Sequence, residues 1–144
     1  MNGSVTFELL QAARAYRLRA GKLLSRIGIY PGQDALLNLL YERGPMTMGE
    51  AATALAIQPP TVTKMVNRLS GGGLVRTEVD SDDRRKICIA ITDAARDKIK
   101  EIDAIWQELE LTALNQIEAD PLRNQLSAMA RNLSEGQETV RRVS

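Results

Sequence analysis

With 144 residues, of which 44% are apolar and 3% aromatic, the chain predicts one globular domain whose core consists mainly of aliphatic side chains. A single cysteine excludes an internal disulfide, and the absence of histidine removes the commonest zinc ligand and general base, so we expect neither a cofactor nor a catalytic site. The net charge of the chain is only +1. No apolar run approaches the ~20 residues that span a bilayer, and the N-terminus lacks the basic and then apolar segments of a signal peptide. We therefore expect a cytoplasmic protein without a membrane partner.

Three helices are predicted before the middle of the chain. Apolar residues recur at intervals of three and four over 6–27, which predicts a first helix with a heptad-like seam along one side. A largely buried second helix is predicted over 33–43, where leucines lie close together and a Gly-Pro pair follows. Thr47 and Glu50 have the spacing of a capping box, which predicts the start of a third helix over 47–56.

A fourth helix follows after a short turn. Two prolines favour a helix start and three glycines at 71–73 favour its end, so the helix is predicted over 59–70. Its apolar side chains recur on one face, at Val62, Met65, Val66 and Leu69, and its other face is polar. Two short helices joined by a tight turn form the helix-turn-helix pattern, in which the second helix is the reader.

A two-stranded ribbon with a charged tip is predicted after the glycines. Apolar residues alternate over 75–79 and again over 87–91, which is typical of paired strands. Between them lies DSDDRRK (80–86), whose acidic and serine residues favour a turn and whose last three residues are cations. Cys88 falls on the opposite face from its isoleucine neighbours, and we interpret it as a small buried side chain rather than a redox site.

A reader helix followed by a cationic hairpin can hold DNA in two grooves. The helix would contact bases and phosphates in the major groove, and the hairpin would place Arg85, held by Asp83, in the minor groove. The ordinary alternatives are a solvated helix face and a surface ion pair. The predicted DNA-binding residues are Gln58, Pro60, Thr61, Thr63, Lys64, Asn67, Arg68, Asp83, Arg84, Arg85 and Lys86.

Two further helices are predicted after the ribbon. Thr92 is a predicted N-cap for a helix that ends near Asn115, and Asp120-Pro121 has the N-cap and N1 chemistry of a last helix. The last helix carries an apolar seam of Leu122, Leu126, Met129 and Leu133. Because such seams usually pack against a partner helix, we prefer a homodimer formed by the terminal helices over a self-contained monomeric bundle.

Two stretches resemble the winged helix-turn-helix regulators of the MarR (multiple-antibiotic-resistance regulator) family. They are PTVTKMVNRLSGGGLV (60–75) and DSDDRRKICIAIT (80–92). The wing motif of that family, Asp-x-Arg, falls on Asp83 and Arg85. The likeness extends over nearly the whole chain in length and in the order of elements.

The resemblance implies a mainly α fold with a small β-hairpin in a single domain. Residues 31–92 would form the winged helix-turn-helix region that binds DNA, and residues 1–30 and 93–144 would form dimerisation helices. The implied function is a homodimeric transcriptional regulator, expected to be a repressor, that binds double-stranded DNA at a pseudo-palindromic operator. Helix 59–70 would lie in the major groove and the wing, 79–87, in the minor groove.

The resemblance also implies release from DNA by a small-molecule effector. Members of the family bind ligands, often aromatic acids, between the dimer helices and the winged domain. The lining candidates are Tyr16, Tyr30, Tyr41 and Trp106, although core packing explains each equally well. The alternative function is a winged-helix protein-interaction module without DNA affinity, which would more typically expose apolar residues where this chain has polar and cationic ones.

Overall fold

The computed structural model describes the backbone of residues 3–143 and the side chains of residues 3–135. The elements in this part of the chain are α1 (Val5–Ser25), α2 (Gln33–Arg43), β1 (Met46–Thr47), α3 (Met48–Leu55), α4 (Pro59–Gly71), β2 (Val75–Val79), β3 (Ile87–Ile91), α5 (Asp93–Ala113) and α6 (Ala119–Val143). The predicted mainly α fold with a β-hairpin is therefore confirmed. None of these helices combines the length and the hydropathy that crossing a bilayer requires.

The chain divides into two compact units, residues 1–109 and residues 110–144. The first unit contains α1 to α4, the sheet and most of α5, and its core is formed by aliphatic side chains. The largest fully buried side chains all belong to it: Leu24, Ile29, Leu36, Leu37, Leu40, Val62, Val66, Ile89 and Ile102. The second unit contains α6, and none of the α6 side chains that the structure describes is buried.

The start of α3 and the turn that follows it establish the helix-turn-helix. The Thr47 hydroxyl accepts a hydrogen bond from the amide of Glu50 at 3.1 Å, and the Glu50 carboxylate accepts one from the amide of Thr47 at 2.9 Å. The predicted capping box is therefore confirmed. After α3, Ala56 adopts a left-handed φ of 54° that redirects the chain toward α4, which begins with the two prolines.

The sheet has three antiparallel strands in the order β1–β3–β2, one strand more than the sequence predicted. Strand β1 is only two residues long and directly precedes α3, so it leaves no alternating pattern in the sequence. Strands β2 and β3 form the predicted ribbon, with Val75 opposite Ile91 and Val79 opposite Ile87. The ribbon begins in the core, where Val75 is buried, and projects outward until Val79 and Ile87 are exposed.

Several helix ends differ from the predicted ones. Helices α1 and α5 each end two residues earlier than the periodicity indicated, at positions 25 and 113. Helix α6 begins at Ala119, so the prediction that Asp120 is its N-cap was wrong; the carboxylate of Asp120 instead pairs with Arg123 in the first turn. Thr92 does precede α5, but its hydroxyl donates to the carbonyl of Gly73 at 2.6 Å and connects the end of β3 to the glycine turn.

Two polar contacts tie α5 to the first turn of α2 and to the connection between α1 and α2. The indole Nε1 of Trp106 donates to Asp34 Oδ2 at 2.9 Å, and Asp34 Oδ1 accepts from the amide of Gly32 at 2.9 Å. The ammonium group of Lys98 donates to the carbonyl of Ile27 at 2.8 Å. These contacts fix the start of α2, and with it the helix-turn-helix, relative to α5 within the first unit.

Candidate nucleic-acid interface

Helix α4 has one buried and one exposed face, as its sequence predicts. Val62, Met65, Val66 and Leu69 pack into the core. The predicted contact residues all lie on the solvent side of the helix or at its start: Gln58, Pro60, Thr61, Thr63, Lys64, Asn67 and Arg68. We call this exposed set of side chains the reader face.

Two side chains of the reader face are held by contacts within the protein. The hydroxyl of Thr63 donates to the carbonyl of Pro59 at 3.2 Å, so its lone pairs rather than its proton remain available to a ligand. The guanidinium carbon of Arg68 lies 5.5 Å from the centroid of the Tyr30 ring, a cation–π contact. Tyr30 belongs to the connection before α2, and no local pattern in the sequence indicates that it contacts α4.

The wing turn between β2 and β3 is closed by Asp80. Its Oδ1 accepts hydrogen bonds from the amides of Asp82 at 2.7 Å and Asp83 at 3.2 Å. These two bonds are the main reason that the pKa of the Asp80 carboxyl lies below its ordinary value of 3.8. The amide of Asp80 donates to the carbonyl of Lys86 at 3.0 Å, so the hairpin has a fixed register up to its tip.

Arg85 is held at the wing tip by Asp83. The guanidinium Nε of Arg85 donates to Asp83 Oδ1 at 3.2 Å, and the amide of Arg85 donates to the same oxygen at 3.1 Å. Both bonds stabilise the charged carboxylate, first through the side chain and then through the backbone, and lower the pKa of Asp83. The predicted pair is therefore formed, and the side chain of Arg85 remains 92% exposed.

Most of the acids in the hairpin are engaged within it. Glu78 pairs with Arg76. Asp80 accepts the backbone amides that close the turn, and Asp83 holds Arg85. Asp82 is the remaining acid, and it is exposed. The cations at 84–86 are all exposed, so exposed cations outnumber exposed acids at the tip, although residues 80–86 carry three acids and three cations in total.

Cys88 is buried, as predicted, with 6% of its surface exposed. Its thiol lies 3.7 Å from Asp80 Oδ2, to which it donates. Burial, followed by the charge of that carboxylate, raises the pKa of the Cys88 thiol. The thiolate, which is the reactive form, is therefore disfavoured.

Two open clefts lie beside aromatic side chains in the first unit. A cleft of about 440 Å³ lies between the α1–α2 connection and the end of α4, lined by Gly28, Tyr30, Gln33, Arg68, Leu69, Gly72 and Leu74. A cleft of about 230 Å³ lies between α2 and α5, lined by Tyr41, Arg96, Ile99, Lys100 and Asp103. Core packing does not explain Tyr16, Tyr30 or Tyr41, since each is about half exposed.

Comparisons of sequence place the chain among known regulators. A sequence model of the MarR family matches residues 29–87, from the α1–α2 connection to the wing. The HTH-type transcriptional regulator YwoH of Bacillus subtilis (strain 168), itself uncharacterized, is 32% identical over 110 residues, which cover 76% of this chain and 80% of YwoH.

Solved structures of low sequence identity have the same fold. A mutant of MarR from E. coli, complexed with operator DNA, is similar with a TM-score of 0.79 at 17% identity, over 90% of this chain and 93% of that one. Bordetella bronchiseptica BpsR, whose DNA binding is regulated by 6-hydroxynicotinic acid, is similar with a TM-score of 0.81 at 19% identity, over 93% of this chain and 95% of that one.

Proposed function

The chain belongs to the MarR family of transcriptional regulators, and from this premise we propose that it is a homodimeric repressor that binds a pseudo-palindromic operator. It is a DNA-binding regulator rather than an enzyme. We assign residues 31–92 to DNA binding and residues 1–30 and 93–144 to dimerisation, as parts of one functional domain. The observation that carries the proposal is the exposed reader face of α4 in the same unit as a wing whose exposed cations outnumber its exposed acids.

In the proposed complex, the reader face lies in the major groove. That groove is about 12 Å wide and admits an α-helix of about that diameter. Thr61 and Lys64 lie in the first turns of α4 and reach base edges or phosphates. Asn67 and Arg68 lie further along the helix and contact the sugar-phosphate backbone of the DNA. The Tyr30 ring restricts Arg68 before DNA arrives, so less side-chain entropy is lost on binding.

The wing lies in the minor groove of the same half-site. Its central contact is Arg85, because a narrow minor groove has a strongly negative potential that favours an inserted arginine. The carboxylate of Asp83 accepts hydrogen bonds from both the side chain and the amide of Arg85. These bonds restrict the exposed guanidinium before DNA binds. Arg84 and Lys86, exposed on either side, would meet the phosphates that flank the groove.

The proposed homodimer is supported by apolar side chains that the single chain leaves exposed on its terminal helices. Leu10 and Leu18 are exposed on α1, and Leu126 and Leu133 are exposed on α6. Removing apolar surface from water contributes about 25 cal/mol per Å², so a partner helix would stabilise these faces. A two-fold axis between two readers would place half-sites about 10 base pairs apart, or a near multiple, on one face of the duplex.

Release from DNA by an aromatic acid completes the proposal. It is supported by the regulation of BpsR by 6-hydroxynicotinic acid and by the cleft between Tyr30 and Arg68 at the end of α4. A ligand carboxylate in that cleft would pair with the guanidinium of Arg68, which we propose contacts the phosphates of the operator. Because transcriptional regulators of this family act on DNA inside the cell, we place the protein in the cytoplasm.

The proposal is tested by measuring affinity against salt on a duplex taken from the DNA upstream of the protein's own gene. Arg85→Ala should weaken binding by roughly 1–3 kcal/mol, most on operators with A·T-rich flanks. Lys64→Ala should change the preference among central bases if the ammonium contacts a base. If it contacts a phosphate, it should lower the salt slope by about one.

Lys100→Ala is the matched control, since Lys100 is an exposed lysine on α5, outside the proposed DNA contacts. It should bind like the wild type. Unchanged affinity for both Lys64→Ala and Arg85→Ala, with folding and dimerisation intact, would reject the assigned interface. A folded, dimeric wild type that binds no duplex at all would favour the protein-interaction module instead.

A further inference from the structure

The wing carries an apolar pair that the core does not cover. Val79 is 59% exposed and Ile87 is 62% exposed, and they lie directly opposite each other as the last pair of the β2–β3 ladder before the turn. Opposed residues in an antiparallel ribbon have Cβ atoms about 5 Å apart, so the two side chains form one patch. Strand β2 is an edge strand, and exposed edges are usually protected by charged residues because apolar ones invite aggregation.

We propose that this pair, which we call the apolar rung, packs against the deoxyribose wall of the minor groove beside Arg85. The rung would contribute a part of the wing's binding free energy that does not depend on salt concentration. The cations would contribute the part that does. The inference rests on the proposed function, because it requires that the wing enters a DNA groove.

The position of the rung follows from the geometry of the hairpin. A strand advances about 3.3 Å per residue, so the Cα atoms of Arg85 and Ile87 are at most about 7 Å apart. The minor groove is about 6 Å wide and 7.5 Å deep. An arginine inserted into it therefore places the rung at the lip of the groove, where the carbon-bound hydrogens of the sugars form the wall. The bond between the Asp80 amide and the Lys86 carbonyl fixes the rung at this distance from the tip.

The charges beside the rung favour DNA over another copy of the chain. Three exposed cations, at 84–86, lie between the rung and the end of the hairpin. Two of the three acids in the same turn, Asp80 and Asp83, are engaged within the hairpin, so a second wing packed on the rung would mainly bring exposed cations together, which is unfavourable. A DNA strand offers the complementary arrangement, since its phosphates would meet the cations while its sugars meet the rung.

The test compares three proteins on the duplex that the wild type binds. In the first variant, Val79→Thr with Ile87→Thr, both positions keep β-branching but lose apolar surface, and position 87 also becomes shorter by one heavy atom. In the second, Val79→Ile with Ile87→Val, the apolar surface is exchanged between the strands and retained. Equilibrium affinity is measured over a range of salt concentrations, and circular dichroism and sedimentation check folding and dimerisation. Ile87→Thr alone is the reserve variant if the double threonine variant does not fold.

The threonine variant should bind about 15-fold more weakly, from about fourfold per residue, with an unchanged salt slope. The exchanged variant should stay within about twofold of the wild type, whereas Arg85→Ala should reduce the slope. Wild-type affinity in the threonine variant, or a loss accompanied by a changed slope, would overturn the inference and leave the proposed function standing. Association of wild-type dimers into larger species that the threonine variant does not form would assign the rung to a second copy. A wild type that binds no duplex would reject both proposals together.

Discussion

Replacing Trp106 by phenylalanine should remove one hydrogen bond while keeping most of the packing. The lost proton is the one that the indole donates to Asp34 Oδ2 at 2.9 Å. Because the acceptor is a partly buried carboxylate, the bond contributes about 1.5–3 kcal/mol, and the smaller ring adds roughly 1 kcal/mol through the space it leaves. We expect the free energy of unfolding to fall by about 2.5–4 kcal/mol. Asp34→Ala should cost more, because it also removes the acceptor for the Gly32 amide.

The assay is urea unfolding followed by far-UV circular dichroism, since the variant lacks the only tryptophan of the chain. Protein concentration must be held fixed, because the stability of a dimer depends on it. In a double-mutant cycle, Trp106→Phe and Asp34→Ala should show a coupling of about 1–2 kcal/mol. A coupling indistinguishable from zero would show that this bond does not tie α5 to the start of α2.

Three further outcomes are expected. Tyr30→Leu should weaken operator binding about two- to fivefold, since Arg68 loses the ring that restricts it, with no fall in unfolding free energy when anisotropy and circular dichroism are compared. Operator affinity should be flat between about pH 5.5 and 7, because the chain has no histidine and the lowered pKa values of Asp80 and Asp83 keep both carboxylates charged. The wing turn is complete above the ordinary carboxyl pKa and is lost only as the pH falls through the lowered values, so a change in affinity near neutral pH would contradict it. Leu133→Glu should shift the dimer toward monomer in sedimentation at micromolar concentration, and an undisturbed dimer would argue against α6 as an interface.

The reader helix could be predicted because its determinants are local. The signals for this helix all lie within about 15 residues: prolines at its start, apolar side chains at helical spacing, and glycines after its end. The start of the preceding helix is marked by Thr47 and Glu50, which lie within a stretch of four residues. The contacts that hold this unit in place join distant residues. Trp106 and Asp34 are 72 positions apart, and nothing in the spacing of either residue indicates that they meet. Tyr30 and Arg68 are likewise brought together only by the fold.

For the wing, too, the sequence pattern predicts the element but not the contacts within it. Its charges and alternation predicted a hairpin with Arg85 near its tip, but the sequence alone does not give the partners of the four acids in that hairpin. In the structure Asp80 accepts two amides and Asp83 holds Arg85, so two of these carboxylates have partners within the hairpin. Alternation also assigns Val79 to the same face as Val75, yet it does not reveal where the core ends, so the exposure of the apolar rung could not be predicted.

We propose that two copies of the chain, each with its reader face and wing, bind one operator together. Hydroxyl-radical footprinting of the folded dimer on the DNA upstream of its own gene tests it most directly. We expect protection over roughly two helical turns, in two half-sites related by a pseudo-two-fold axis and spaced about 10 base pairs apart or a near multiple, with minor-groove protection from the wings. Protection of one asymmetric site, or none at concentrations where the protein is a folded dimer, would contradict it.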